Sequence, residues 1–263
     1  MRASNHTIDF GDYINRISFR YFQPHMTMKD LPEMSEWLRR FGVSAEDIIN
    51  KRISDAKRAE LEINNTKLPV NKRAMAECLR ELCMIPRMST FAIGAIINQA
   101  VLQMHEDCCF VNVGVWHGFT LLAGMQRNPR KRCVGVDNFS EFGGPRERFM
   151  ERFDRYKSAN HYFYEMDYKD YFANVHQGRI GVYIYDGEHS YNNQLDGLLL
   201  AEPYFSENCI ILVDDTNLEP TKQATRNFIA SGRQKYRILL DKTTAGDAHP
   251  SWWNGIMVLQ RVG

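Results

Sequence analysis

Net charge is nearly absent from this chain: 33 Lys and Arg stand against 32 Asp and Glu, leaving a formal charge of +1 over 263 residues. That balance gives no argument for a nucleic-acid or membrane surface. Long apolar runs are missing as well. The longest, FAIGAIINQAVLQM at residues 91–104, falls short of the roughly 20 residues that cross a bilayer and reads as a buried helix. The opening MRASNHTIDFGDY lacks the apolar stretch of a secretory leader. Cysteine pairing is missing too. Cys78, Cys83, Cys108, Cys109, Cys133 and Cys209 form no CxxC unit, and most sit in apolar segments. Buried reduced thiols are expected rather than disulfides or zinc ligands, and with them a cytoplasmic setting in which the sequons at Asn5 and Asn64 carry no meaning. There is no low-complexity segment and no internal repeat.

What is present is ordinary globular composition, 44% apolar and 25% charged, in a length suited to one large domain or a domain with an extension. The pattern changes near residue 106, which divides an N-terminal arm and helical cap, residues 1–105, from a domain at 106–263. The first 35 or so residues show no clear period and read as an arm. SAEDIINKRISDAKRAELEI then opens helically, with Ser44 and Asp47 spaced like a capping box. NKRAMAECLRELCM places Met75, Cys78, Leu79 and Leu82 on one stripe, and Ser89 or Thr90 can cap the helix that starts at Phe91.

Beyond residue 106, short runs rich in Val, Ile and aromatics alternate with helical stretches, the signature of parallel βα units. Strands are read at CCFVNVGVW, RCVGVDNF, HYFYEMD, GVYIYD, CIILVDD, YRILL and GIMVLQR. Helices begin near Gly118, Pro145, Tyr168, Ser190 and Glu219, and the Ser190 helix turns Tyr191, Leu195, Leu198, Leu199 and Phe205 toward a sheet. No helix separates the last two strands, so they form an antiparallel hairpin. Its loop carries Trp252 and Trp253, which either wall a substrate pocket or pack.

Ligands in open α/β sheets bind at the carboxyl ends of the strands, where strand order reverses. FVNVGVWHGFTLLAG supplies a strand, a turn with Gly114 and Gly118, and a helix start with unpaired amides. Asp137, about 20 residues on, can accept hydrogen bonds from both hydroxyls of a ribose. The G-x-G-x-x-G dinucleotide fingerprint is missing, and FGGPRERF lacks the Lys-Ser/Thr of a phosphate loop. A ligand with a ribose and no phosphate, such as S-adenosylmethionine, suits this junction better, although a plain βα turn would look similar.

Two further strands end in carboxylates, one at Asp186 and the other at Asp214 and Asp215. On neighbouring strands the three could converge on a hard cation such as Mg²⁺, or they could be strand-end polar residues. Successive strand residues point to opposite faces, so Asp214 and Asp215 can share an ion only if the strand is already turning. His189, three residues after Asp186, is a candidate general base or a residue that orients a ligand.

In the order VNVGVWHGFT, VGVDNF, IYDGEHSYNNQLDGLL and IILVDDTN, the chain resembles class I S-adenosylmethionine-dependent methyltransferases. More narrowly it resembles the macrocin O-methyltransferase (TylF-type) family, over roughly residues 86–263. The resemblance implies an α/β, Rossmann-like seven-stranded sheet of order 3-2-1-4-5-7-6, with strand 7 antiparallel, behind an N-terminal helical extension. It implies that Asn112, Gly114, Trp116 and Gly118 belong to the cofactor loop, with Asp137 and Asn138 at the ribose. Asp167 falls near the adenine, Ser89 and Thr90 near the methionine end, and Asp186 beside the cofactor as well. Relatives hold a metal through carboxylates equivalent to Asp186, Asp214 and Asp215. Metal-dependent catechol-type relatives carry a Lys base at the offset of His189, with Asp186 beside it.

The expected function is transfer of a methyl group to a hydroxyl of a small molecule, a natural-product sugar, a phenol or a diol, with S-adenosylmethionine and Mg²⁺ as cofactors. A nicotinamide-dependent oxidoreductase and a non-catalytic nucleoside-binding relative are the competing readings. No nucleic-acid or membrane partner is expected, and a homo-oligomer is left open.

Overall fold

Residues 8–27, 29–30, 34–49, 53–69, 73–231 and 233–263 are described by a computed structural model. Asn5 and the side chain of Met75 fall outside the described residues. The helices are α1 (Phe10–Asn15), α2 (Ser35–Arg39), α3 (Ala45–Ile49), α4 (Asp55–Asn65), α5 (Arg73–Leu82), α6 (Phe91–Gln103), α7 (Phe119–Met125), α8 (Arg146–Tyr156), α9 (Tyr168–Asn174), α10 (Tyr191–Ala201) and α11 (Glu219–Ala230). The strands are β1 (Ser18–Phe19), β2 (Thr66–Lys67), β3 (Cys108–Val113), β4 (Arg132–Asp137), β5 (His161–Glu165), β6 (Arg179–Tyr185), β7 (Phe205–Asp214), β8 (Lys235–Lys242) and β9 (Ile256–Val262).

Alternation along the central strands builds the layers. Phe110 of β3, Val182 and Ile184 of β6 and Leu212 of β7 face one core, while Val111, Val113, Tyr183, Tyr185 and Val213 face the other. The first core is closed by α6, α7 and α8, the second by α9, α10 and α11. All six residues of β3 are buried, as a strand covered on both faces requires, whereas edge strand β8 is largely open. The main sheet runs β5-β4-β3-β6-β7-β9-β8. Counted from β3, this is the expected order 3-2-1-4-5-7-6, and β9 is antiparallel to both β7 and β8.

Three sequence expectations are corrected. Residues 44–63 are not one helix: Ser44 and Asp47 form a reciprocal cap on α3, and Ser54 then caps a second helix, α4, by accepting the Lys57 amide at 3.3 Å. Residues 8–27 are not a plain arm. Phe10, Tyr13 and Ile14 of α1 are buried in the same core as α6, a stripe too short to register as a period. Finally, α10 ends at Ala201, so Phe205 opens β7, and Tyr191 accepts from Asn227 of α11 instead of facing the sheet.

Elsewhere the expected packing holds. Leu79 and Leu82 of α5 are buried, and Thr90 caps α6 by accepting the Ile93 amide at 3.3 Å. Five of the six cysteines are buried and all are unpaired.

Candidate active site

β3 and β6 lie side by side, yet α7 packs on one face of the sheet and α10 on the other. Their carboxyl ends therefore frame the crevice that this topology leaves open to ligands. Gly114 locks the two ends together. It has φ +77°, and a Cβ there would stand 1.9 Å from the Asp186 carbonyl oxygen. The close approach is thus to the chain's own backbone.

A cavity of about 240 Å³ opens in this crevice. Among the expected residues it is lined by Ser89, Gly114, Trp116, Asp137, Asn138, Asp167, Asp186, His189 and Asp215. Asp137 stabilises the turn itself: Oδ2 accepts the amides of Val115 (2.7 Å) and Trp116 (2.9 Å), and Oδ1 accepts that of Phe139 (2.7 Å). Trp116 is held at φ 44° and donates through Nε1 to the Phe142 carbonyl, tying the 139–144 loop to the cavity edge. Asp167 caps α9 through the Lys169 amide at 2.7 Å, and Asn138 accepts the Ser140 amide at 3.1 Å. The Ser89 hydroxyl is buried at the cavity wall with no partner among the described residues.

Four expected site residues are not brought to the cavity wall. Thr90 spends its hydroxyl on capping α6 and on the Ser251 carbonyl at 2.8 Å. Asn112 is fully buried and donates to the Gly114 carbonyl at 2.9 Å, supporting the turn from beneath. Gly118 starts α7 at φ +100°, where a Cβ would meet Phe149 at 3.0 Å. Asp214 is still within β7, paired across to Ile256, and its Oδ1 accepts the Asp215 amide at 3.0 Å.

The chain turns at the next residue: Asp215 has φ 53°, outside the strand region, and its side chain faces the cavity. His189 bridges the two strand ends, with Nε2 3.1 Å from Asp215 Oδ2 and 3.9 Å from Asp186 Oδ1. Burial lowers the imidazole's affinity for a proton, but the hydrogen bond to Asp215 and the charges of Asp215, Asp214 and Glu141 outweigh it and hold the pKa above its ordinary value. Burial pushes Asp186 well above the carboxylate range, reinforced by Asp214, Asp215 and Asp137. Asp214 is pushed up to about 8, by burial and then by Asp215. These carboxylates are close enough to repel one another, but among the described residues no group of three or more His, Cys, Asp or Glu is arranged around a metal position.

Other lining residues carried no sequence signal. Tyr168, Glu188 and Asn193 form a polar wall, with Tyr168 Oη 3.2 Å from Asn193 Oδ1. Pro86, Arg87 and Met88 reach the cavity from the turn before α6. Trp252 and Trp253 do not line it. Trp252 packs edge-on against Phe19 at 5.0 Å, and Arg58 covers Trp253 at 4.3 Å.

With this geometry in hand, residues 111–216 match the family model described as a methyltransferase domain. The match runs from within β3 to just past the end of β7 and contains the glycine turn, Asp137, Asp186, His189 and Asp215. The sheet order is that of the Rossmann-like methyltransferase fold, and the methyltransferase-domain match covers the central part of that sheet. More particularly, the fold is similar to that of solved O-methyltransferases. One, from Bacillus cereus and solved in complex with SAH, is 13% identical, with a TM-score of 0.52 over 74% of this chain and 93% of that one. Another, a TDP-rhamnose 3'-O-methyltransferase of calicheamicin biosynthesis, is 17% identical, with a TM-score of 0.50 over 78% of this chain and 92% of that one. No curated protein matches the chain. Among the described residues no helix is long and apolar enough to cross a membrane.

Proposed function

We propose that this chain is an O-methyltransferase that moves the methyl group of S-adenosylmethionine to a hydroxyl of a small molecule, a natural-product sugar, a phenol or a diol. The observation that carries the reading is the meeting of His189 Nε2 with Asp215 and Asp186, at 3.1 and 3.9 Å, in the cavity that also holds the glycine turn and Asp137. S-adenosylmethionine, when bound, supplies an electrophilic methyl group on a sulfonium. The cavity chemistry suits it: carboxylates face a positive ligand, and the partnerless Ser89 hydroxyl is free for its amino-acid end. Among the described residues Asp137 Oδ1 accepts only the Phe139 amide and keeps acceptor capacity for a ribose hydroxyl.

His189 then has a defined task. As the acceptor oxygen takes the methyl carbon and the carbon–sulfur bond breaks to leave a neutral thioether, the hydroxyl proton passes to the free ring nitrogen of His189, and the Nε2–H contact with Asp215 at 3.1 Å stabilises the resulting imidazolium. Positioning of oxygen and methyl in line supplies much of the acceleration. Two of the expected donors fit Mg²⁺ in their chemistry: Asp186 and Asp215 offer hard oxygens at the cavity wall, and Asp215 Oδ1 is buried without a partner among the described residues, whereas Asp214 stays in β7. A bound Mg²⁺ would lower the pKa of an acceptor hydroxyl. We assign residues 106–263 to the catalytic domain and 1–105 to an N-terminal arm and helical cap, and Arg87, Met88 and Ser89 of the latter help line the cavity.

Calorimetry tests the reading directly. S-adenosylmethionine is expected to bind and NAD is not; NAD binding in preference would overturn it. Asp215→Ala is expected to abolish metal-stimulated transfer while cofactor affinity changes little. Activity indifferent to a chelator would remove the metal from the scheme.

A further inference from the structure

The cavity is lopsided in charge. Asp137, Glu141, Asp167, Asp186, Glu188 and Asp215 line it, with no lysine and, as basic residues, only Arg87 and His189. Arg87 does not offset them. Its side chain is fully buried, its guanidinium pairs with Glu62 at 2.8 Å and donates to the Cys83 carbonyl, and Glu62 is also bonded to the Phe91 amide at 2.9 Å. Among the described residues, the only cationic side chain paired with any of the six lining carboxylates is His189. Asp137 is bonded to backbone amides, which spread its charge without cancelling it. The excess stays negative even after a divalent cation, a charged imidazole and the single net positive charge of S-adenosylmethionine are placed inside.

A second feature has the same sense. The rim carries an exposed aromatic ring, Phe142, 66% exposed, beside the exposed carboxylate of Glu141, and the exposed Glu188 lines the same cavity. The Trp116 indole bonded to the Phe142 carbonyl fixes this rim segment to the cavity wall. An exposed aromatic ring next to a carboxylate, at a cavity lined by no lysine and no unpaired arginine, attracts organic cations and repels anions.

Resting on the methyltransferase reading, we infer that the acceptor is a hydroxylated molecule with no net negative charge, and that an amine-bearing polyol or diol is preferred over its uncharged counterpart. Phosphorylated and carboxylated acceptors, nucleoside-diphosphate sugars and acyl-CoA thioesters among them, are rejected by charge. Two like charges held within a partly desolvated cleft cost enough to separate such substrates by about tenfold or more.

Three catechols of matched shape test this: one with an ethylammonium side chain, one with an ethyl group, one with an acetate side chain. Each is assayed with the full-length protein and labelled S-adenosylmethionine, and each is titrated calorimetrically into protein saturated with S-adenosylhomocysteine. The expected ranking in kcat/KM, or in affinity where turnover is too slow to measure, is ammonium, then ethyl, then acetate, with about tenfold or more between the extremes. The ranking should narrow as ionic strength rises. The double substitution Glu141→Gln, Glu188→Gln is expected to shrink the gap several-fold. An acetate catechol used as well as the ammonium one overturns the inference, as does a gap that ignores both salt and the substitutions. Failure of all three to bind while S-adenosylhomocysteine still binds also overturns it. Failure of the cofactor itself to bind overturns the methyltransferase reading instead.

Discussion

Gly114 shows how much can hang on one missing carbon. With φ +77° and a Cβ position 1.9 Å from the Asp186 carbonyl, this residue lets the β3 turn lie directly on the end of β6. Any side chain must push the two strand ends apart, and with them Asp137, which the turn amides hold, and Asp186. Gly114→Ala is therefore expected to cost at least about 3 kcal/mol in denaturant unfolding and to weaken cofactor binding together with stability. Unchanged stability with lost binding would mean that the glycine serves the ligand and not the strand contact. Asp215 is the counterpart on β7. Its φ of 53° turns its carboxylate toward His189, while Asp214, one residue earlier, stays in the ladder. The glycine was visible in the sequence as a turn residue; which backbone it had to clear was not.

Helix α4 reaches the cavity without lining it. Its Glu62 is completely buried and accepts from Arg58 Nε at 2.9 Å, Arg87 at 2.8 Å and the first amide of α6 at 2.9 Å. Arg58 continues the chain of contacts to the Ala248 carbonyl at 2.8 Å and over Trp253. One carboxylate thus joins α4, the turn that carries Ser89, the start of α6 and the β8–β9 loop. Truncating it strands a buried guanidinium and a helix amide. Glu62→Ala is expected to cost about 3–5 kcal/mol, measured by chemical denaturation. A loss below about 1 kcal/mol would show that water replaces the carboxylate. In the sequence Glu62 reads as one more surface charge on a polar-majority helix, because the cation that buries it lies 25 residues away. The helix itself, and the Thr90 cap of α6, were legible because capping and periodicity are local.

The N-terminal segment and the β8–β9 loop close on each other through His249, whose Nε2 lies 3.0 Å from the Met26 carbonyl and whose ring stacks on Phe22 at 4.6 Å. Burial drives the pKa of His249 down to about 4, and does the same to His176, packed against Tyr171 at the far end of the sheet. Both stay neutral in the fold, while the unfolded chain takes up protons near the ordinary 6.5. Between those values the unfolded state binds more protons, so stability falls as pH drops from about 6.5 to 4 and is full above that window. Unfolding midpoints followed across this range should show that slope. Replacing both histidines with Gln should flatten it, whereas an unchanged slope would assign the acid sensitivity to other groups.

The order of elements, the closing hairpin and the carboxylates at strand ends could be read from the chain because strand alternation, helix period and turn chemistry act over a few residues. His189 and Asp215 were legible as candidates on the same grounds. Their 3.1 Å contact was not, nor the separation of Asp215 from Asp214, the retreat of Asn112 and Thr90 into support, or the negative excess of the cavity. Those depend on which strand ends become neighbours and which buried groups find partners. Only the packed chain settles that, since the groups that meet there are far apart in sequence and each has more than one way to be satisfied.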